Sequence, residues 1–253
     1  MKKMDFPVAF QTEDFYRYEF KYLLNLEQRE AIESELAHFM SYDGHVHEEL
    51  ENAYYIRSLY FDNDVATNFY EKIDGLQKRT KFRLRTYGKK FESDLPIYLE
   101  EKNRNGDRVH KRRIKIDYDH MNFFCGSSLR YDLCNIFPEV NIVEQFFFEA
   151  TRKMLKPTVL IDYIRRPYVS PYDMNFRVTI DSDIMALKGN SLFKSTEKNW
   201  LYCLAGYTIM EVKFHRRVPA WFHRILQAHN LRRLSISKFV EGMKKTGLAV
   251  DLS

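Results

Sequence analysis

Thr80-Lys81-Phe82-Arg83-Leu84-Arg85-Thr86-Tyr87 is the stretch that decides the fold. Side chains of a strand alternate between its faces, so Lys81, Arg83 and Arg85 share one side while Phe82 and Leu84 take the other. The apolar side can pack on a core, which leaves three cations in a row on the opposite surface. Neighbouring charges in such a row sit ~7 Å apart and repel by roughly 2 kcal/mol at an effective dielectric near 20. A bound polyanion would remove that repulsion, whereas a solvated outer face would merely tolerate it. Recurrence of the pattern separates the two readings.

Arg17, Glu19 and Lys21 alternate with Tyr18, Phe20 and Tyr22, and Glu100 and Lys102 alternate with Leu99 and Glu101. Tyr163 and Arg165 follow Val159 and Ile161 at period two. Arg177, Thr179 and Asp181 alternate with Val178 and Ile180; Glu211, Lys213 and His215 alternate with Met210, Val212 and Phe214. Each segment has one greasy face and one face carrying cations, usually with an acid two residues away. A solvated sheet would scatter its charges more freely. Matched phase over several strands argues for one shared interior surface: a barrel with a polar, basic lumen and an apolar outside covered by helices.

The chain has 253 residues, and no Gly/Ser/Pro-rich linker, low-complexity tract or internal repeat divides it. One domain over 1–253, with a core at about 15–247, is expected. Hydrophobic residues make up 45% and aromatics 15%, enough for a substantial core. Forty Lys and Arg against 35 Asp and Glu give a formal charge of +5, too mild to mark nucleic acid as the partner. Met1-Lys2-Lys3-Met4-Asp5 is basic, but Glu13 and Asp14 arrive before any apolar run that a signal peptide requires. No stretch approaches the ~18 apolar residues of a membrane span. Cys125, Cys134 and Cys203 form no CxxC pair, and their odd number argues against a disulfide framework. A reduced, cytoplasmic setting is expected. The histidines show no HExxH spacing, and His45 and His47 read as solvated.

Asn25 is a candidate N-cap for a helix to about Met40. Strands are expected at 54–62, 78–87, 95–103, 108–116, 159–167, 175–184 and 208–216 after the first, with a turn at Gly106-Asp107. A short helix or turn is expected at 63–72, and helices at 118–125, 139–155 (stopping before Pro157), from Pro219 to about His229, and at 237–247. Roughly eight strands with flanking helices make this α+β.

Eight segments in register carry a resemblance. They are Arg17-Tyr-Glu-Phe-Lys-Tyr22, Ser58-Leu-Tyr-Phe-Asp62, Arg83-Leu-Arg85-Thr-Tyr-Gly88 and Leu99-Glu-Glu-Lys102, then Asp162-Tyr-Ile-Arg165, Arg177-Val-Thr-Ile-Asp181, Met210-Glu-Val-Lys213 and Ser237-Lys238-Phe239. Together they resemble the polyphosphate polymerase domain of the vacuolar transporter chaperone (VTC) family, within the triphosphate tunnel metalloenzymes or CYTH superfamily. The resemblance implies an eight-stranded antiparallel tunnel that binds a triphosphate with Mn²⁺ or Mg²⁺. By position, Lys21, Arg83, Arg85, Lys102 and Arg165 would grip the reacting phosphates. Lys111, Arg177, Lys213 and Lys238 would add phosphate contacts, and Tyr163 and Ser237 hydroxyl contacts. Glu211 would hold the metal, with Glu19 and Glu100 either helping or ion-pairing with Lys21 and Lys102. Two positions depart from the family: Ser235 stands where a lysine is usual, with Arg232 or Arg233 as candidate replacements, and Ile164 where relatives can carry a polar residue. The spacer, transmembrane and SPX regions of eukaryotic relatives are not found, so a stand-alone bacterial-type domain is expected.

The activity so implied is ATP-dependent growth of a polyphosphate chain inside the tunnel. The alternatives are a triphosphatase, in which water is the acceptor, and a sensor of polyphosphate or nucleotide without turnover. A membrane protein that receives the product is a candidate partner. RNA is disfavoured, because the cations lie on alternating strand faces and no aromatic platform is evident. Arg57 reads equally as solvent-facing or ligand-facing, and Lys111-Arg112-Arg113 as a mouth-lining patch or a solvated strand end. Phe146-Phe147-Phe148 reads as packing, and Trp200 and Trp221 as core or interface.

Overall fold

The period-two segments all become strands. A computed structural model describes residues 15–43, 45–106, 108–126, 129–193 and 199–251. The basic Met1–Asp5 segment, Glu13, Asp14 and the Asp107 half of the expected turn lie outside the described residues. In chain order the strands are β1 (Phe15–Leu24), the two-residue β2 (Ser41–Tyr42), β3 (Tyr54–Asp62), β4 (Lys78–Thr86) and β5 (Ile97–Asn105). Then come β6 (Arg108–Ile116), β7 (Lys156–Val169), β8 (Arg177–Lys188), the two-residue β9 (Leu201–Tyr202) and β10 (Thr208–Phe214). Eight of them pair antiparallel in the order β7-β3-β4-β5-β6-β1-β10-β8, and the β7–β8 ladder closes the ring. β2 and β9 only extend β7 and β8 at their margins.

Register stacks the charges of the sequence into rows. Lys81 lies opposite Lys102, which lies opposite Lys111; Arg83 lies opposite Glu100, which lies opposite Arg113. Lys21 lies opposite Glu211, and Glu19 opposite Lys213. The β7–β8 register shifts between Asp162 and Ile164, close to Asp183, whose φ of 50° is left-handed. That irregularity turns Ile184 and Ala186 onto the face that Asp181 already occupies.

The outward faces are covered by helices. The residues that alternate with the cations on β4, Phe82 and Leu84, join Leu59, Leu99 and Ile114 under α3 (Met121–Cys125), α4 (Leu133–Ile136) and α5 (Asn141–Arg152). On the opposite wall Val178, Ile180, Met210 and Val212 pack with Ile32 and Leu36 of α1 (Leu26–Leu36) and Phe222 and Ile225 of α6 (Ala220–Ala228). Asn25 caps α1 as expected: its Oδ1 accepts the Gln28 backbone N–H at 2.8 Å, and Gln28 Oε1 accepts that of Asn25 at 3.2 Å. The helix ends at Leu36, four residues before Met40, and the chain turns so that Ser41 and Tyr42 can pair with Val169 and Tyr168. β7 and β8 both run longer than expected, and the helix expected over 139–155 is confined to α5.

Two helices stand at one end of the barrel. α2 (Thr67–Ile73) is started by Asp62, whose carboxylate accepts the backbone N–H groups of Asn68 at 2.9 Å and Phe69 at 3.1 Å. α7 (Lys238–Lys245) lays Phe239, Val240 and Met243 on Val159, Ile161 and Ala186, which share the inward phase. Gly242 permits that approach, since a Cβ there would stand 2.2 Å from Ile161 Cδ1. The barrel end is thereby part-filled by apolar packing, and Ser237 and Lys238 are delivered into the lumen.

Two side chains depart from their sequence reading. Arg57 faces neither solvent nor lumen: it is buried, donating to both carboxylate oxygens of Asp162 at 2.8 and 2.7 Å, with its guanidinium 5.2 Å from the Trp200 ring centroid. Phe146 is fully buried, but Phe148 is 57% exposed, so the aromatic run is only partly packing. Trp221 packs against the core, as read, and stacks on Phe39 at 4.4 Å between centroids.

Candidate active site

The lumen holds a cavity of about 450 Å³ lined by seven lysines, seven arginines and two glutamates, Glu19 and Glu211. Among the expected site residues, Lys21, Arg83, Arg85, Lys102, Lys111 and Arg165 line it, as do Tyr163, Lys213, Ser237, Lys238, Glu19 and Glu211. Arg177 does not; it is exposed at the far mouth, in a cavity of about 250 Å³. Arg17, Arg85, Lys111, Arg165 and Lys213 line both spaces, so the cation-lined passage is continuous.

Buried carboxylates hold the cations in place. Glu211 is met by Lys238 at 2.8 Å, Arg165 and Lys213 at 3.3 Å, and Lys21 at 3.4 Å. Asp181 takes Arg165 through two bonds of 2.7 and 2.8 Å and also pairs with Lys238. Glu19 accepts from Lys102 at 2.9 Å and lies 3.3 Å from Lys21. Glu100 does not pair with Lys102; its oxygens are taken by Arg83 at 2.6 Å, Lys111 at 2.5 Å and Arg85 at 3.5 Å. Arg83 further donates to the Tyr60 hydroxyl at 2.6 Å, and Arg85 to those of Ser58 at 3.1 Å and Tyr163 at 3.0 Å.

Burial and crowding set the charge states. Burial alone would raise the Glu211 carboxyl, but Lys238, Lys21, Lys213 and Arg165 hold it well below the usual range. Glu19 is likewise pushed down, with Lys102 and Lys21 outweighing burial. Three lysines go the other way. Burial lowers Lys81 to about 7, helped by Arg79, Lys72 and Lys102 and opposed by Asp62. Lys111 and Lys213 fall to about 7 for the same leading reason, against the opposing pull of Glu100 and Glu211. Near neutral pH each is therefore only part-protonated.

The departure at Ser235 has a visible counterpart. Lys72, from α2, donates to Ser235 Oγ at 2.9 Å, and Arg233 lines the same cavity with its guanidinium 4.0 Å from the Phe20 centroid. Ile164 falls on the outward phase of β7 and lines none of the three cavities. Arg79, Lys81 and Arg104 also line the lumen without having been expected as site residues. All three continue the phase of Arg83 or Lys102, so periodicity marked them. Lys72 and Arg233 stand outside strands, and no periodic signal exposes them.

Glu211 and Glu19 are the oxygen donors open to the cavity, and the Lys21 ammonium already sits between them. Two carboxylates on one cavity suit Mg²⁺ or Mn²⁺, which take one or two carboxylates and complete their shell from other oxygens. Glu100 is 1% exposed, on the lumen face of β5 beneath the cations that take its oxygens, which makes it a support for Arg83, Arg85 and Lys111. Among the described residues, no group of three or more His, Cys, Asp or Glu is arranged around one point. No helix among them is long and apolar enough to cross a membrane.

Comparison with known proteins agrees with this geometry. The chain is 22% identical over 227 residues to vacuolar transporter chaperone complex subunit 4 of Schizosaccharomyces pombe, covering 74% of this chain and 31% of that protein. The Trypanosoma brucei brucei subunit 4 gives 22% over 228 residues, covering 74% and 28%. The chain thus spans under a third of the length of these relatives. In structure it is similar to a Hippeastrum protein described as an adenylyl cyclase with a dominant triphosphatase activity, with a TM-score of 0.52, 11% identity, and 91% and 96% of the two chains covered. That likeness concerns the fold. The model of the VTC domain matches residues 16–246, so the chain belongs to the VTC domain family, on a closed antiparallel barrel of the tunnel type.

Proposed function

We propose that this chain is an ATP-dependent, divalent-metal-dependent polyphosphate polymerase. The observation that carries the reading is a buried passage with fourteen Lys and Arg side chains against two lining glutamates. So many cations exceed what the three phosphates of one nucleotide need, and a longer inorganic chain would supply the missing counter-charge. The terminal oxygen of the chain would attack the γ-phosphorus of ATP, and the bond to the β-phosphate would break with its electron pair leaving on ADP.

Phosphoryl transfer passes through a loose transition state whose charge spreads over the equatorial oxygens, so positioning and electrostatics supply most of the catalysis. Arg83 and Arg165 present planar forks already oriented by Glu100 and Asp181, which suits two phosphate oxygens each. Lys238 and Lys21 add point charges beside Glu211, and Lys81, Lys111 and Lys213 become cationic as phosphates enter. Glu211, with Glu19, would hold Mg²⁺ or Mn²⁺, which neutralises neighbouring phosphates and polarises the transferred group. At the far mouth Tyr54 and Tyr87, 5.8 Å apart between centroids, offer a nucleoside a surface beside Arg17 and Arg177.

The test incubates the protein with ATP and Mn²⁺ or Mg²⁺ and separates products on a gel stained for polyphosphate. A ladder that lengthens with time and is lost in Arg83→Ala is expected. Phosphate released from inorganic triphosphate without a ladder would make the protein a hydrolase, and ligand binding without either product would leave a sensor.

A further inference from the structure

A second cavity of about 450 Å³ lies on the outer side of the barrel wall, beside the mouth formed by Lys72, Arg79 and Arg104. Its strand residues, among them Lys78, Asn105 and Arg108, have the phase opposite to the lumen, and the end of α5 closes it with Glu149, Arg152 and Lys153. Arg79 and Arg104 line both cavities and face each other directly across β4 and β5. The basic surface therefore continues from the lumen over the rim. Lys78 and Arg108 both pair with Asn105, which sets them two strand spacings, ~10 Å, apart.

The described acids of this groove, Glu71 and Glu149, are already engaged. Lys153 takes Glu71 at 2.5 Å and Glu149 at 3.9 Å, and Arg152 takes Glu149 at 2.8 Å. Among the described residues no Phe, Tyr or Trp lines the groove, which leaves His110 as the single aromatic ring there for a base. A polymer made only of phosphates fits this chemistry better than a single-stranded nucleic acid. Resting on the tunnel reading above, we propose that the groove is a second polyphosphate subsite, which holds the part of a chain that has passed over the Arg79–Arg104 rim.

The experiment measures binding of two probes, tripolyphosphate and long-chain polyphosphate, to the full chain and to Lys78→Ala/Arg108→Ala and Lys78→Glu/Arg108→Glu. Both side chains are exposed, and unchanged melting temperatures verify the fold. Long-chain affinity should fall about tenfold in the alanine pair and further in the glutamate pair. Its dependence on log salt should flatten by ~1.4, about 0.7 for each lost phosphate contact. Tripolyphosphate, short enough to stay in the lumen, should bind all three proteins alike. An unchanged long-chain affinity, or equal losses for both probes, overturns the groove. So does a single-stranded RNA of matched charge that binds the wild type as tightly and loses as much. Failure of the wild type to bind tripolyphosphate strikes the tunnel reading itself, and the groove falls with it.

Discussion

Glu211→Gln preserves shape and removes the charge on which four lumen cations converge. Lys238, Arg165, Lys213 and Lys21 all lie within 3.4 Å of its carboxylate. One contact at such a distance is worth about 5 kcal/mol at a dielectric of 20 before desolvation, and breaking a buried pair costs about 3–5 kcal/mol. Asp181 still holds Arg165 and Lys238, and Glu19 still holds Lys21, so the lower end, ~3 kcal/mol, applies. In a chain of this length 1 kcal/mol shifts Tm by about 2–4 °C, which gives a fall of about 9 °C at pH 7. The sign with pH follows from linkage. The Glu211 carboxyl is held well below its ordinary 4.5, so its stabilisation is complete above that pH and is lost as pH falls through the depressed value. The gap between wild type and variant should hold from pH 8 to 5 and narrow in stronger acid. Metal-free binding of tripolyphosphate should persist, because the cations remain, while metal-stimulated turnover falls about 100-fold. Differential scanning fluorimetry across pH reads the stability gap, and calorimetric binding and product assays with and without EDTA read the rest. An unchanged Tm at pH 7, or a gap that widens in acid, would refute the account of the lumen as cations braced by buried carboxylates.

Lys81, lowered to about 7 by burial, should be reprotonated by an incoming polyanion, so binding takes up protons and weakens as pH rises from 7 to 9. Calorimetry in two buffers of different ionisation heat measures the uptake; Lys81→Met should reduce it, and proton release would contradict it. Arg83→Ala should cut product formation by at least ~100-fold with a modest loss of Tm, because Glu100 keeps Lys111 at 2.5 Å and Arg85 at 3.5 Å. Gly242→Ala should lower stability by about 1–3 kcal/mol through the 2.2 Å approach to Ile161 Cδ1, and Ile161→Val, which deletes that atom, should recover part of it. Additive losses in that double mutant would mean that the helix backbone, not this contact, is at fault.

Much of the barrel was legible because its chemistry is periodic. Lys81-Phe82-Arg83-Leu84-Arg85 assigns a face to every side chain once it is read as a strand, and Arg79, Lys102 and Arg104 follow from the same phase. Antiparallel neighbours in register then place the cations of one strand beside those of the next, as in the Lys81, Lys102, Lys111 row. Strand ends were less legible. β8 continues past Asp183 only because a left-handed residue resets its phase, and alternation broken at one position reads as a strand that has stopped. The partners of the charges were only partly legible: Glu19 pairs with Lys21 and Lys102, as the sequence allowed, but Glu100 does not follow. Glu100 was weighed as a partner of Lys102, its neighbour two positions along the strand, yet it binds Lys111 across the sheet and Arg83 and Arg85 on the other side. A carboxylate in a closed barrel meets cations from both adjacent strands, and only register decides which.

The same limit explains Lys72 and Ser235. A serine at position 235 reads as a missing cation while the chain is one-dimensional. In the folded chain the Asp62 carboxylate starts α2 through the Asn68 and Phe69 amides, and α2 then carries the Lys72 ammonium to Ser235 Oγ at 2.9 Å. A helix after β3 thereby brings a cation to the place where the loop before α7 carries a serine. Lys72 has Arg79, Arg104 and Lys21 as neighbours that, with burial, push its own proton affinity down, so an arriving phosphate is the counter-charge the mouth is built to receive. Lys72→Met should then weaken polyanion binding, whereas Ser235→Ala, which removes only the hydroxyl that receives the ammonium, should change it little. The opposite ranking would make Ser235 the ligand and Lys72 its support.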